Sequence, residues 1–204
     1  RFLHVGKPVV LIDRNLEDVP CYSVLVDNRG AAQAAVERLF LAGHRKIGMI
    51  AGPEHVFTAR ERYLGYEEAF KKAGIEVQDS LVVHGDYTIA GGARAMKELA
   101  KQNPQMTAVF VSNYEMTVGA MIESNEIGIR IPEDLSVIGF DNIEFAKASN
   151  PKLSIVTQPT KEIGINVAEL ILDRLDNPTR EMPPKEMKLK TSFVEGKSVH
   201  ILSV

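Results

Sequence analysis

The sequence predicts a doubly wound α/β protein with parallel sheets, and three observations carry that prediction. Short β-rich runs alternate with helical patterns along most of the 204 residues. The runs are apolar almost throughout, as strands covered on both faces must be. Most runs lead through a few polar or aromatic residues into a helix, the succession of βα units that builds a parallel sheet. With 45% apolar and 25% charged residues the chain has ample material for hydrophobic cores.

Taken in order, Val9 to Ile12 and Ser23 to Val26 read as buried strands. Asp27 stands as an N-cap before a helix over Asn28 to Ala42, with Ala32, Ala35, Val36, Leu39 and Phe40 on one face and Gly43 as its stop. The strand Ile47 to Ala51 ends at Gly52-Pro53, and Thr58-Ala59-Arg60-Glu61 has the form of a capping box opening a helix that Gly74 closes. Strands at Leu81 to His84, Ala108 to Val111 and Leu135 to Gly139 alternate with helices at Ala90 to Lys101 and Glu115 to Glu126. A strand at Leu153 to Thr157 and a helix at Thr160 to Leu175 follow, with Ile163, Val167, Leu170 and Ile171 facing inward. Pro178 to Pro184 reads as a linker, and Met187 to Phe193 alternates as a strand with one wet face.

Several function classes are excluded or unsupported. The net charge of −3 gives no basic excess for gripping phosphate backbones. The single cysteine, Cys21, and the absence of Cys/His ligand spacing argue against disulfide scaffolds and zinc modules, so no metal or cofactor is expected. No apolar run approaches the roughly 20 residues of a membrane span. No G-x-G-x-x-G follows a strand and no G-x-S-x-G elbow occurs. Gly196-Lys197-Ser198 resembles the end of a P-loop, but Thr191 stands where the upstream glycine is needed. An enzyme is therefore not expected. The start at Arg1, without signal-peptide segments, reads as a fragment boundary.

In open parallel sheets ligands bind beyond the carboxyl ends of the strands. The residues there include Asp13, Tyr87, Asn113 and Asp141, with Arg62 near the start of its helix. Carboxylates, an amide, a forked donor and a flat ring are a set suited to a polyol. The same positions have plain structural uses: Asp13 and Asp141 as helix caps, Tyr87 as core, Arg62 as a surface cation.

Longer stretches carry a resemblance. Val24-Leu25-Val26-Asp27-Asn28, Leu41 to Ile47, Ala51-Gly52-Pro53, Thr58 to Tyr66, Gly85-Asp86-Tyr87 and Ile131 to Asp141 together resemble the effector-binding core of LacI/GalR-family transcriptional regulators. The resemblance implies two doubly wound subdomains of periplasmic-binding-protein type, with the effector in the cleft. Residues 1–26 and 153–177 would form part of the N-terminal subdomain, and residues 27–150 and 185–204 the C-terminal one. It also implies that Asp13, Arg62, Tyr87, Asn113 and Asp141 contact a small effector, a sugar or derivative, with a purine as the alternative. Tyr114 and Asn142 depart from the family, each standing where an Asp is usual.

Two readings compete, a cytoplasmic regulator core and a secreted sugar-binding protein of an uptake system, and the regulator-like motifs favour the first. Operator DNA would be touched only through a helix-turn-helix preceding Arg1, so residues 1–204 alone are expected not to bind it specifically. A homodimer is expected through the helices at Ala90 to Lys101 and Glu115 to Glu126, with Met96, Met116 and Met121 as contact area unless they are core.

Overall fold

A computed structural model describes residues 8–15, 21–141, 143–177 and 186–202. The expected linker at Pro178 to Pro184 and the departure at Asn142 lie outside them. The elements run β1 (Val10–Ile12), β2 (Tyr22–Val26), α1 (Asn28–Leu41), β3 (Ile47–Ala51), α2 (Phe57–Ala73), β4 (Val82–His84), α3 (Ile89–Gln102) and β5 (Ala108–Val111). There follow α4 (Tyr114–Glu126), β6 (Ser136–Phe140), α5 (Ile143–Ala148), β7 (Ser154–Thr157), α6 (Thr160–Asp176), β8 (Glu186–Leu189) and β9 (Ser192–Val194). Contacts divide the chain into unit 1, Arg1–Asp27 with Gln158–Thr191, and unit 2, Asn28–Thr157 with Ser192–Val204.

Unit 1 holds a parallel sheet of order β1-β2-β8. Val24 and Val26 of β2 and Ile163 of α6 form its small core, joined by Val10, Val167, Leu170 and Leu189. Lys188 reaches the Asp27 carboxylate at 3.0 Å.

Unit 2 is a sheet of order β4-β3-β5-β6-β7-β9, parallel except for the β7–β9 pair. Because side chains alternate across a strand, its buried runs feed two cores. Ile47, Met49 and Ala51, with Ala108, Phe110, Ile138 and Phe140, join the apolar face of α1 and Tyr66 and Phe70 of α2. Ile50, Val109, Val111 and Val137 join Met96 and Leu99 of α3 and Met116 and Ala120 of α4. At the α1–α2 crossing Gly65 is required: a Cβ there would stand 2.2 Å from the Arg29 carbonyl oxygen.

The subdomain boundaries differ from those expected. Leu153 to Thr157 does not return to the first subdomain, because β7 pairs with β6, from Ile138–Ser154 to Phe140–Val156. The crossing comes at Gln158. Nor does the chain rejoin unit 2 at Lys185. The alternating stretch Met187 to Phe193 is two strands, β8 pairing with β2 and β9 with β7, so the return falls at Ser192. Alternation fixes which side chains face inward, and it runs unbroken through a change of sheet.

Two local expectations are also corrected. Thr58 is not a cap: α2 begins at Phe57, its N-cap is Val56 without a side-chain bond, and Thr58 is buried inside the helix. Glu61 accepts a two-pronged bond from Arg29 instead, at 2.9 and 3.2 Å. Met96, Met116 and Met121 are core residues, not surface. Ser198 is structural, its Oγ donating to the Val137 carbonyl and accepting from the Ser154 amide.

Candidate functional site

Arg62 lies in the second turn of α2 and is 3% exposed, and the protein meets its buried donors with acceptors. Nε donates to Asn28 Oδ1 at 2.8 Å and Nη1 to the Ser112 carbonyl at 2.6 Å. The guanidinium carbon sits 3.7 Å from the centre of the Phe140 ring, a cation–π contact that favours the planar fork. Asp141 Oδ2 completes the set at 3.9 Å from Nη1. Three segments, at the start of α1 and the ends of β5 and β6, therefore converge on the cation that α2 supplies. Asn28 holds the Arg62 side chain, a role that sequence reasoning missed. It was read only as the first residue of its helix, although it stands in the quoted Val-Asp-Asn stretch.

Asp141 follows β6, with its amide still donating to Val156 across the sheet. Its φ is +69°, and the other non-glycine residues at positive φ among those described are Asp13 at +48° and Tyr87 at +62°. Left-handed backbone is uncommon outside glycine and costs most for a large residue such as tyrosine. Three of the five residues singled out from the sequence share it, each just past a strand end.

The hydroxyl end of the Tyr87 ring packs against Gly52, where a Cβ would come within 2.2 Å of Cε1. Its hydroxyl is 3.5 Å from Thr58 Oγ1. The turn beneath is fixed by Asp86, which accepts from the Thr88 hydroxyl at 2.6 Å and from Arg94 at 2.8 Å. The Thr88 bond first, and Arg94 beside it, hold the Asp86 carboxyl below its ordinary range.

Asn113 has the structural use as well as the predicted position. It is the N-cap of α4, its Oδ1 accepting from the Met116 amide at 3.0 Å and its Nδ2 donating to Glu115 at 2.7 Å. Its amide is thus engaged by the helix it starts. Tyr114 follows it, half-buried, with its ring edge-on to Phe145 of α5 at 5.7 Å. Asp13 belongs to unit 1, half-buried at the end of β1 with its amide bonded to the Val24 carbonyl.

A buried cation, a half-buried carboxylate and an aromatic ring thus lie at the carboxyl ends of the strands of one parallel sheet, where open α/β folds bind ligands. Among the described residues no group of three or more His, Cys, Asp or Glu could hold a metal ion. Residues 36–199 match the family of periplasmic binding protein-like domains. The sugar-binding transcriptional regulator of the LacI family from Escherichia coli, solved with phosphate, superposes with a TM-score of 0.85 at 30% identity over 98% of this chain and 71% of that one. The chain belongs to the LacI family. Another LacI-family relative, the HTH-type transcriptional regulator CelR of Thermobifida fusca, is 34% identical over 197 residues, 97% of this chain and 56% of its own. A structure described as the CelR–cellobiose complex superposes with a TM-score of 0.89 at 35% identity, covering 95% of this chain and 59% of that one.

The chain spans about half the length of the curated relatives it matches. Those relatives are named as transcriptional regulators and repressors. Among the described residues no helix is long and apolar enough to cross a membrane.

Proposed function

We propose that this LacI-family chain is the effector-sensing core of a cytoplasmic DNA-binding regulator, and that its effector is a small polyhydroxylated molecule, a sugar or sugar derivative. The observation that carries this reading is the convergence of Asn28, the Ser112 carbonyl, Phe140 and Asp141 on the buried Arg62, with Tyr87 on Gly52. Arg62 aims and balances the Asp141 carboxylate, which accepts from hydroxyls, and Tyr87 offers a flat apolar face to the ring. Asn113 lines the same face behind its capping role. The cellobiose named with CelR supports a sugar.

Regulation then works by linkage. An effector that binds one conformation more tightly than another shifts the equilibrium between them, and that difference alters the affinity for operator DNA in the complete protein. A homodimer through α3 and α4 belongs to the same proposal. Ile89 and Ile122 are the exposed apolar residues on those helices, and sedimentation showing only monomer at tens of micromolar, an order-of-magnitude test concentration, would refute it.

The deciding experiment is a calorimetric screen of sugars, sugar phosphates and purines, repeated with Arg62→Ala and Asp141→Ala on any ligand found. Loss of one charged hydrogen bond of about 1.5–3 kcal/mol predicts roughly one to two orders of magnitude weaker binding. A ligand that binds both variants as tightly as the wild type shows the site to be elsewhere.

A further inference from the structure

We propose that the end of α1 and the tail after β9 form a self-association surface of unit 2, on which two copies of this chain pair about a two-fold axis. The proposal is independent of the effector reading, and its face is a different one from that of α3 and α4.

Among the described residues the two most exposed large apolar side chains are Leu41, at 86%, and Ile201, at 76%. They are distant in sequence, yet both line one groove of about 260 Å³, together with Phe193 and Val199. Their outward position is built into the backbone. Leu41 is the last residue of α1, just before the chain turns at Gly43 with a φ of +94°. The tail is pinned on both sides of Ile201: the His200 carbonyl accepts from His44 Nε2 at 3.0 Å, and the Leu202 amide donates to the Ala42 carbonyl at 2.8 Å. Gly43 permits this crossing, since a Cβ there would stand 3.0 Å from the Leu202 carbonyl oxygen. The last turn of a helix favours a cation at a solvent position, and here it carries an aliphatic side chain that joins neither core of unit 2. A single exposed leucine is ordinary, whereas two such residues on one apolar groove make a patch.

Charge indicates what covers it. Arg38 and Glu195 line the same groove, and both are exposed. The Arg38 guanidinium lies over the Phe193 ring, 4.1 Å from its centre, and among the described residues neither Arg38 nor Glu195 has an ion-pair partner. A two-fold interface between identical chains must carry both members of every contact on one patch. This patch does so, with protruding aliphatics beside an apolar groove and one cation beside one anion. Pairing sets Leu41 and Ile201 of each copy against Phe193 and Val199 of the other, and Arg38 against Glu195. A partner of uniform charge would instead meet one of the two with its like. Phe193 and Val199 pack on the α1–α2 core, while α3 and α4 cover the opposite side of the sheet. An assembly that uses both faces holds four chains.

The test is sedimentation of the full chain at up to several hundred micromolar, an order-of-magnitude range for a modest interface. Leu41→Asp should weaken self-association about tenfold or more, as expected when an interface leucine is replaced by a charge. It should also halve the assembled species, from four chains to two where α3 and α4 pair as well, and from two to one where they do not. Ile122→Asp on α4 separates these cases, because it removes the other face and leaves this one. Arg38→Glu and Glu195→Arg should each weaken association, and the double variant should recover it, since the swapped charges again meet across the axis. Leu41, Arg38 and Glu195 are all exposed, so the substitutions leave the fold in place. A wild type that stays monomeric throughout, a Leu41→Asp variant that associates as the wild type does, or a double variant no better than the single ones overturns the proposal.

Discussion

Unit 2 carries six strands between two helical layers, and its central strands β3, β5 and β6 are buried at every position. Among the described residues unit 1 carries three strands and one helix, α6, which buries a single residue, Ile163, while Ile165, Leu172 and Leu175 remain exposed. Among the described residues unit 2 thus packs two cores and unit 1 a single small one. The difference bears on function because the left-handed turns at Tyr87 and Asp141 and the buried Arg62 all belong to unit 2. Backbone strain and a desolvated cation persist only where the surroundings over-determine them.

The comparison breaks most sharply at Phe110, which is fully buried in the α1–α2 core of unit 2. Phe110→Ala should cost about 3–5 kcal/mol, read as a lowered urea midpoint by circular dichroism. A cost near that of a surface change would mean that unit 2 is not the rigid partner.

Asn28→Ala comes next, since it strips Arg62 of the Nε acceptor while leaving the guanidinium buried. A loss of about 1.5–3 kcal/mol is expected, with effector affinity falling alongside stability. Asn28→Asp keeps the acceptor and should restore part of both. If Asn28→Ala lowers stability and leaves affinity intact, its role is packing alone.

A pH titration sharpens the comparison further. His44 is 1% exposed, with Nδ1 2.9 Å from Thr107 Oγ1 and Nε2 3.0 Å from the His200 carbonyl. Only a donor satisfies a carbonyl, so Nε2 carries the proton and Nδ1 accepts from the threonine. Burial holds its pKa below the ordinary 6.5. The unfolded chain then binds the proton more readily than the folded one, so the stability contributed is full above pH 6.5 and is lost as pH falls from there toward the lowered value. The wild type should lose more melting temperature than His44→Gln between about pH 7.5 and 5.5. Parallel curves would refute the assignment.

The smallest effect is expected in unit 1. Leu172 is 57% exposed on α6, and Leu172→Ser should change stability by less than about 0.5 kcal/mol. A larger loss would show that α6 is covered in solution.

Much of the scaffold was legible in the sequence because strands buried on both faces spell uninterrupted apolar runs, as in Ile47 to Ala51 and Ala108 to Val111. Edges were less legible. The sheet change between β8 and β9 leaves the alternation of Met187, Leu189 and Phe193 intact, so no local signal marks it. The turn Asp79–Leu81 opens at Gln78 without a side-chain cap, so no local signal marks it. At the site, strand-end position was readable and use was not. Asn113 stands at a strand end and serves as a cap, and Asn28 matters through a partner 34 residues away in the chain.

Gly52 and Tyr87 are a lock of two parts: the ring occupies the space that any side chain at 52 would need. Among relatives these two positions should therefore vary as a pair, with bulk admitted at one only where it has been given up at the other. Reshaping this pocket for a new effector would proceed most easily through coupled changes, because a lone step away from glycine displaces the ring before any replacement surface exists. A paired library at 52 and 87 would display this as survivors clustered along one diagonal of the size matrix, and survivors spread evenly across it would show the two positions to be independent.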